Sequence, residues 1–213
     1  MGNPSYVNGF ELTIHEGMLE VPLHWKKPRR IFTCSMSDLF HEFVPIDLIQ
    51  SVFTTMGRAD WHQFQILTKR SMPLLALDPV LPWRPNMWMG VSVENEAYTF
   101  RIDQLRDTHA ELKFLSLEPL LGPLPNLDLR DIDWAIVGGE SGPGARPMHP
   151  DWVRDIRDQC LAAGVRLFFK QWGGVRKWET GRELDGRTWD EMPRTSAVNE
   201  SASSPLPAAV DQR

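Results

Sequence analysis

The chain has 213 residues, 42% apolar and 24% charged, with a formal net charge of −5. That is enough for one substantial core of ordinary globular composition, and it excludes a strong overall positive field that would capture nucleic acid non-specifically. There is no apolar run long enough to span a bilayer and no secretory leader, so a cytoplasmic location without membrane contact is expected.

Residues 1–30 read as an irregular lead-in punctuated by Pro4, Gly9, Pro22 and Pro28. The basic run Lys26-Lys27-Pro28-Arg29-Arg30 closes it, and a solvated approach to a sheet is a better reading of it than a phosphate site. Six short apolar runs follow, Ile31–Ser35, Gln63–Leu67, Met89–Val93, Lys113–Leu117, Ala135–Gly139 and Leu167–Lys170, each ending in polar residues. Between them, Pro45–Arg58, Ala97–Thr108 and Pro150–Ala163 are expected to be helices, the last stopped by Gly164. A Leu-rich turn and a Pro-rich loop separate the second run from the third. Residues 174–193 read as a small appended ribbon or loop, and the Ser/Ala/Pro-rich stretch from Arg194 as a disordered tail.

Strands alternating with helices or long crossovers imply parallel pairing and right-handed connections. About six such units make an α/β fold, a parallel β/α barrel that is a partial TIM barrel, with an open sheet as the alternative. The organisation is one domain over residues 1–193 and a tail over 194–213. No G-x-G-x-x-G follows the first strand, which speaks against a dinucleotide-binding fold.

Ligands of such folds sit outside the carboxyl ends of the strands. Side chains alternate along a strand, so Ser92 shares a face with Glu94, and Ser116 with Glu118. The intervening valines and leucines then face outward, and the polar face is the interior near the top. By the same parity Gly138 goes with Glu140, Phe168 with Lys170 and Trp172, and Gln63, Gln65, Leu67 and Lys69 point inward. The expected mouth is lined by Glu94, Glu118, Glu140, Lys69 and Lys170, as candidate catalytic and ligand-holding groups, with Arg70 beside them. Unpaired buried charges are expensive, so a structural ion-pair ring competes with a ligand pocket as the explanation.

Gly138-Gly139-Glu140-Ser141-Gly142-Pro143-Gly144 leaves a strand as a glycine-rich loop, readable as amides open to an anion, with Arg146 close behind, or as a plain tight turn. Asp38, His41 and Glu42 form a second polar loop, readable as acid/base groups or as a helix cap, without a recognisable metal-ligand spacing. Cys34 and Cys160 stand far apart with no CxxC, so neither a disulfide framework nor a complete metal site can be read from them.

Several segments in order, among them Ser35-Met36-Ser37-Asp38-Leu39-Phe40-His41, Leu67-Thr68-Lys69-Arg70, Gly90-Val91-Ser92-Val93-Glu94-Asn95, Leu117-Glu118-Pro119-Leu120-Leu121-Gly122, Val137-Gly138-Gly139-Glu140-Ser141-Gly142 and Phe168-Phe169-Lys170-Gln171-Trp172-Gly173, carry a resemblance. Together they resemble a phage and prophage family named after phage gene products 37 and 68 and placed among radical-SAM-like TIM-barrel proteins. The resemblance runs from about Gly2 to Pro193. It implies S-adenosylmethionine as the cofactor, a nucleotide-like ligand at the mouth, and nucleotide or nucleic-acid modification in a host cytoplasm. Ser92, Ser116, Gly138, Gly139, Ser141, Lys69 and Arg70 would bind the cofactor, and Glu94, Glu118, Glu140 and Lys170 would act on the ligand.

One departure matters. The family carries a three-cysteine motif on its first strand and loop, thought to hold an iron–sulfur cluster. Here Met1-Gly2-Asn3-Pro4 resembles a point just after that motif, and neither Cys34 nor Cys160 matches it. A cluster is therefore not expected in this chain, and enzyme activity hinges on whether the native protein has the missing unit. Ile31–Ser35 then becomes an edge strand, expected to be covered by Gly9–Ile14 or by a second copy in a homodimer. The alternative function is a non-catalytic phage protein that binds a host or phage protein partner, suggested by an exposed C-terminal segment with Trp172, Trp178 and Trp189. A metal-dependent hydrolase using Asp38, His41 and a glutamate ranks last.

Overall fold

The computed structural model describes residues 15–33 and 37–193. The expectations for Gly9–Ile14, for Cys34 and for the tail from Arg194 lie outside the described residues. Two short 3-10 turns, Glu16–Met18 and Val21–His24, lead into the sheet. Its strands are β1 (Arg30–Thr33), β2 (Gln63–Thr68), β3 (Met87–Ser92), β4 (Leu112–Leu117), β5 (Trp134–Gly138) and β6 (Arg166–Gln171). Every adjacent pair is parallel and the spatial order equals the chain order, so the sheet curls into a half-barrel.

Each expected strand is present, displaced by one or two residues at its ends. Helix α1 (Ile46–Arg58) buries Ile49, Phe53 and Met56 at spacings of four and three. Helix α2 (Ser71–Leu77) stands where the Leu-rich turn was expected. Pro73 obscures it in sequence, yet sits in the first turn, where a backbone N–H has no helical partner to lose. The expected helix Ala97–Thr108 divides into a 3-10 turn, Glu96–Tyr98, capped by the Asn95 side chain, and α3 (Phe100–Arg106). Helix α4 (Pro150–Ala163) ends where Gly164 adopts φ +70°.

The curl places a different core on each face. Outside, under the helices, lie Ile66, Met89, Val91, Leu115, Leu117, Ala135, Val137 and Phe169. Inside lie Trp88, Leu112, Phe114, Trp134, Ile136 and Phe168. The indole of Trp134 meets Trp88 and Phe168 edge-on at centroid distances of 5.9 and 6.1 Å. Gly90 makes this inner packing possible, because a Cβ there would collide with the Phe114 ring.

The C-terminal part of the domain closes the far edge. Helix α5 (Lys177–Thr180) and the ribbon β7 (Glu183–Leu184) with β8 (Arg187–Thr188) precede a stretch that runs back antiparallel to β6. There the Phe169 N–H donates to the Trp189 carbonyl (2.9 Å) and the Glu191 N–H to the Leu167 carbonyl (3.1 Å). The Trp134 indole N–H reaches the Glu191 carbonyl at 2.8 Å, and Arg30 of β1 donates to Met192 Sδ at 3.2 Å. The curl thus brings the two sides of the sheet together at their lower ends.

Two expectations need correction. Trp172 does not share a face with Phe168 and Lys170: the register shifts between β5 and β6, and the ring packs on Phe169 at 4.8 Å. Nor is the C-terminal segment a run of exposed tryptophans, since Trp189 is buried, Trp172 is half-buried and donates to the Glu183 carbonyl, and only Trp178 of the three is exposed.

Overpacking a close-packed interior costs roughly 1–3 kcal/mol. Gly90→Ala is expected to lose about that much in urea unfolding, while leaving the baseline circular dichroism spectrum unchanged.

Candidate functional site

Past the aromatic layers, the inner face turns polar at the C-terminal strand ends. Ser92 and Ser116 are register partners on β3 and β4, and both are buried. Beyond Ser92 lies Glu94, only 6% exposed. Its Oε1 receives the Lys69 ammonium at 2.6 Å and its Oε2 the Arg101 guanidinium at 3.0 Å. Arg101 also donates to the Ser92 carbonyl (2.7 Å) and lies 4.2 Å from the centroid of the Tyr98 ring. One carboxylate therefore faces two cations. Arg101, buried and stacked, neutralises Glu94 alone, so Lys69, with a side chain 55% exposed, is the surplus positive charge.

Asp38 holds Lys69 in place. Its carboxylate accepts from Thr68 Oγ1 (2.7 Å), the Lys69 N–H (3.0 Å), Arg70 (3.2 Å) and the Phe40 N–H (3.0 Å). The first three donors tie the loop after β1 to the end of β2, and the fourth folds the loop on itself. Asp38 thus fastens this loop, and its side chain caps neither α1 nor α2. His41 Nδ1 accepts from the Phe43 N–H. Among the described residues no group of three or more His, Cys, Asp or Glu side chains is arranged to hold a metal ion.

Beside the first cluster, Glu118 lies across Gly138. A Cβ at Gly138 would strike Glu118 Oε1, so glycine is what lets this carboxylate fold onto β5. Lys170 Nζ stands 3.2 Å from Glu118 Oε1, and Ser116 Oγ donates to Oε2 at 3.4 Å. The Leu120 N–H donates to the Gly138 carbonyl and the Leu121 N–H to the Glu94 carbonyl, which pins the loop after β4 between its neighbours.

The remaining predicted residues serve the rim. Glu140 forms a two-pronged pair with Arg146 of its own loop, at 2.9 Å on both prongs. The Arg146 side chain and backbone N–H hold the Glu140 carboxyl down to about 2. Two amides of the glycine-rich loop are taken up by the chain itself, as a turn reading allows. The Gly139 N–H donates to the Gln171 carbonyl and the Gly142 N–H to the Gly174 carbonyl. Gln171 also donates to Ser141 Oγ at 2.5 Å. Glycines fall where this loop crosses the one after β6: side chains at Gly139 and Gly173 would strike the Trp172 and Glu140 carbonyls.

Residue by residue, the fold gathers Lys69, Glu94 and Ser92 into one cluster and Ser116, Glu118, Gly138 and Lys170 into its neighbour. Arg70, Gly139, Glu140 and Ser141 fasten the surrounding loops. Arg101 was not foreseen. The only signal for it is a single Arg in the first turn of the helix after β3, where a helical residue can lean back over the strand end.

An iron–sulfur cluster needs thiolates gathered in space. Cys160 is on the buried face of α4 in the outer core, where burial, aided by the Glu191 charge, pushes its thiol up to about 12. The 213 residues contain only one other cysteine, so they cannot provide a three-thiolate set at the mouth.

A family model described as "Protein of unknown function (DUF5131)" matches residues 2–193. The chain belongs to that family. The match takes in all six strands, the mouth and the returning C-terminal stretch. No curated protein and no solved structure gives a significant match. Among the described residues no helix is long and apolar enough to cross a membrane.

Removing one partner of a buried ion pair strands the other charge, at a cost of about 3 kcal/mol or more. Arg101→Met, which leaves buried Glu94 only the half-exposed Lys69, is expected to destabilise the chain in chemical denaturation by somewhat less than that, and Lys69→Met, which leaves Glu94 its buried partner, by less still. A second expectation concerns acid. Because the folded Glu140 pKa lies below its ordinary value of 4.5, the Arg146 pairing stabilises the fold fully above about 4.5 and loses that effect as pH falls toward about 2. The difference in urea midpoint between wild type and Arg146→Gln should therefore shrink steadily as pH is lowered through that window.

Proposed function

We propose that the C-terminal mouth of the half-barrel binds a small nucleotide-like ligand with both cationic and anionic groups, S-adenosylmethionine being the cofactor to which the residues are best suited. The observation that carries this reading is the pair of neighbouring clusters, Lys69–Glu94–Arg101 and Lys170–Glu118, flanking buried Ser92 and Ser116 with one cation in surplus. Each half-exposed lysine can exchange its glutamate for a ligand carboxylate or phosphate. The released carboxylate then accepts from a ligand ammonium or ribose hydroxyl. Binding by such exchange leaves no buried charge unpaired, which is the chief cost of a polar pocket.

In this reading Glu118 and Lys170 hold the two ends of a zwitterion, Lys69 takes an anionic group, and the serines orient hydroxyls. Glu94 remains fixed by Arg101. S-adenosylmethionine, when bound, supplies an activated sulfonium. No step is assigned to an iron–sulfur cluster, whose ligands these residues do not provide. Modification of a nucleotide or nucleic acid is the activity this site would serve, in keeping with the resemblance to the phage family.

A second reading, a protein partner docking on the mouth, draws on exposed Phe43, Phe100 and Trp178, which belong to the loops and helix starts that follow β1, β3 and β6. Titration of the full chain with S-adenosylmethionine, S-adenosylhomocysteine and methionine, followed by calorimetry, separates the two. Saturable binding of the nucleosides is expected, weakened at least tenfold by Glu118→Gln and by Lys69→Met. A folded wild-type protein that binds none of them overturns the proposal.

A further inference from the structure

The basic run ahead of β1 takes no part in the mouth, and the fold gives it company. Lys26, Lys27, Arg29 and Arg30 enter β1 from its N-terminal end and are all exposed. Arg58, in the last turn of α1, and Arg84, just before β3, reach the same end of the sheet and are exposed as well. The stem of Arg84 lies against Gly57, where a Cβ would press on it.

Ion pairing sets this group apart. At the mouth Lys69, Arg70, Arg101, Arg146 and Lys170 all have carboxylate partners within 4 Å. At the lower end Arg58 stands 3.6 Å from Glu20, both side chains being more than half exposed. Among the described residues Lys26, Lys27, Arg29, Arg30 and Arg84 have no carboxylate within that distance. Of the exposed acids of this end, Glu20 faces Arg58 and Asp60 lies between α1 and β2, while Asp107, Glu111 and Asp131 stand beside β4 and β5. At the end of the half-barrel opposite the mouth, cations thus outnumber acids over β1 to β3, and the unpaired ones are gathered there.

The basic half is also rigidly mounted. Buried His62 accepts the Arg29 N–H on Nδ1 at 3.1 Å and lies 2.9 Å from the Pro22 carbonyl through Nε2. The Trp61 indole N–H donates to the Trp25 carbonyl at 2.8 Å. The Arg29 guanidinium lies 4.3 Å from the centroid of the Trp25 ring, its planar face set by that stacking. The cations thus stand on a fixed platform, not on a loose solvated strand.

We propose that this face is a second binding surface, distinct from the mouth, and that its occupant is the phosphodiester backbone of a nucleic acid. Clustered cations without carboxylate partners attract a polyanion and release its counterions when it binds. Arginine suits phosphate through its planar fork. The net charge of −5 does not oppose this, because on this face the cations outnumber the acids Glu20 and Asp60. An anionic bilayer is the poorer match, since the Trp25 ring is capped by Arg29 and Trp61 is half-buried with its N–H held by the Trp25 carbonyl. The surface would hold a polynucleotide by its backbone, without reading its sequence.

The test is fluorescence anisotropy of the full chain with labelled single-stranded and duplex oligonucleotides at several salt concentrations, with phosphatidylserine vesicles as a parallel arm. Wild type is expected to bind an oligonucleotide, with affinity falling steeply as salt rises. The triple variant Lys26→Gln, Lys27→Gln, Arg29→Gln should bind at least tenfold more weakly. On duplex its log–log salt slope should be shallower by about 2–3, at roughly 0.9 for each phosphate that is no longer neutralised. The double variant Lys26→Arg, Lys27→Arg should bind like wild type, and unchanged melting curves for both variants certify the fold. Absence of wild-type binding near 50 mM salt, an unaffected triple variant, an arginine variant as weak as the neutral one, or binding to vesicles alone would each overturn the proposal.

Discussion

Alternation along six parallel strands, combined with the curl of the sheet, requires every strand to serve two cores. The outward set packs under helices and is uniformly apolar. The inward set must fill a narrowing space at the bottom and then give way to polar groups at the top. Trp88, Phe114, Trp134 and Phe168 do the filling, and the absence of a side chain at Gly90 lets the Phe114 ring lie flat across β3. Only above those layers is there a rim where Ser92, Ser116, Glu94 and Glu118 can meet. The polar mouth therefore depends on the aromatic plug beneath it.

At the mouth a charge is kept buried by over-provision. Glu94 has a buried guanidinium for permanence and an exposed ammonium to spare. Glu118 has a single exposed lysine and a glycine floor. Glu94 is thus neutralised by a buried cation, whereas Glu118 relies on an exposed one, although both descend from the same Ser-x-Glu strand ending.

Much of this was legible in the order of residues. Period-two alternation placed Ser92 with Glu94 and Ser116 with Glu118, because β3 and β4 run without a break in register. The same rule failed for Trp172, because the register shifts at the end of β6 and no residue type announces it. The glycine-rich loop was ambiguous for a related reason: its glycines serve the crossing of two loops, a tertiary demand indistinguishable in sequence from a need for open amides. Asp38 and Arg101 show what single-chain reading misses, since Asp38 is held by the end of the next strand and Arg101 leans from its helix back onto the strand before it. α2 was hidden by a proline that is harmless only because of its place in the first turn.

The stretch Trp189–Glu191 occupies the free side of β6 in the antiparallel sense. A parallel sheet grows by adding strands at either side, and this one is stoppered on one of them. β1 has no strand partner other than β2 among the described residues. Assembly by strand addition is consequently directional: β6 is a terminator, and any chain joining the sheet must do so beside β1, next to the basic face.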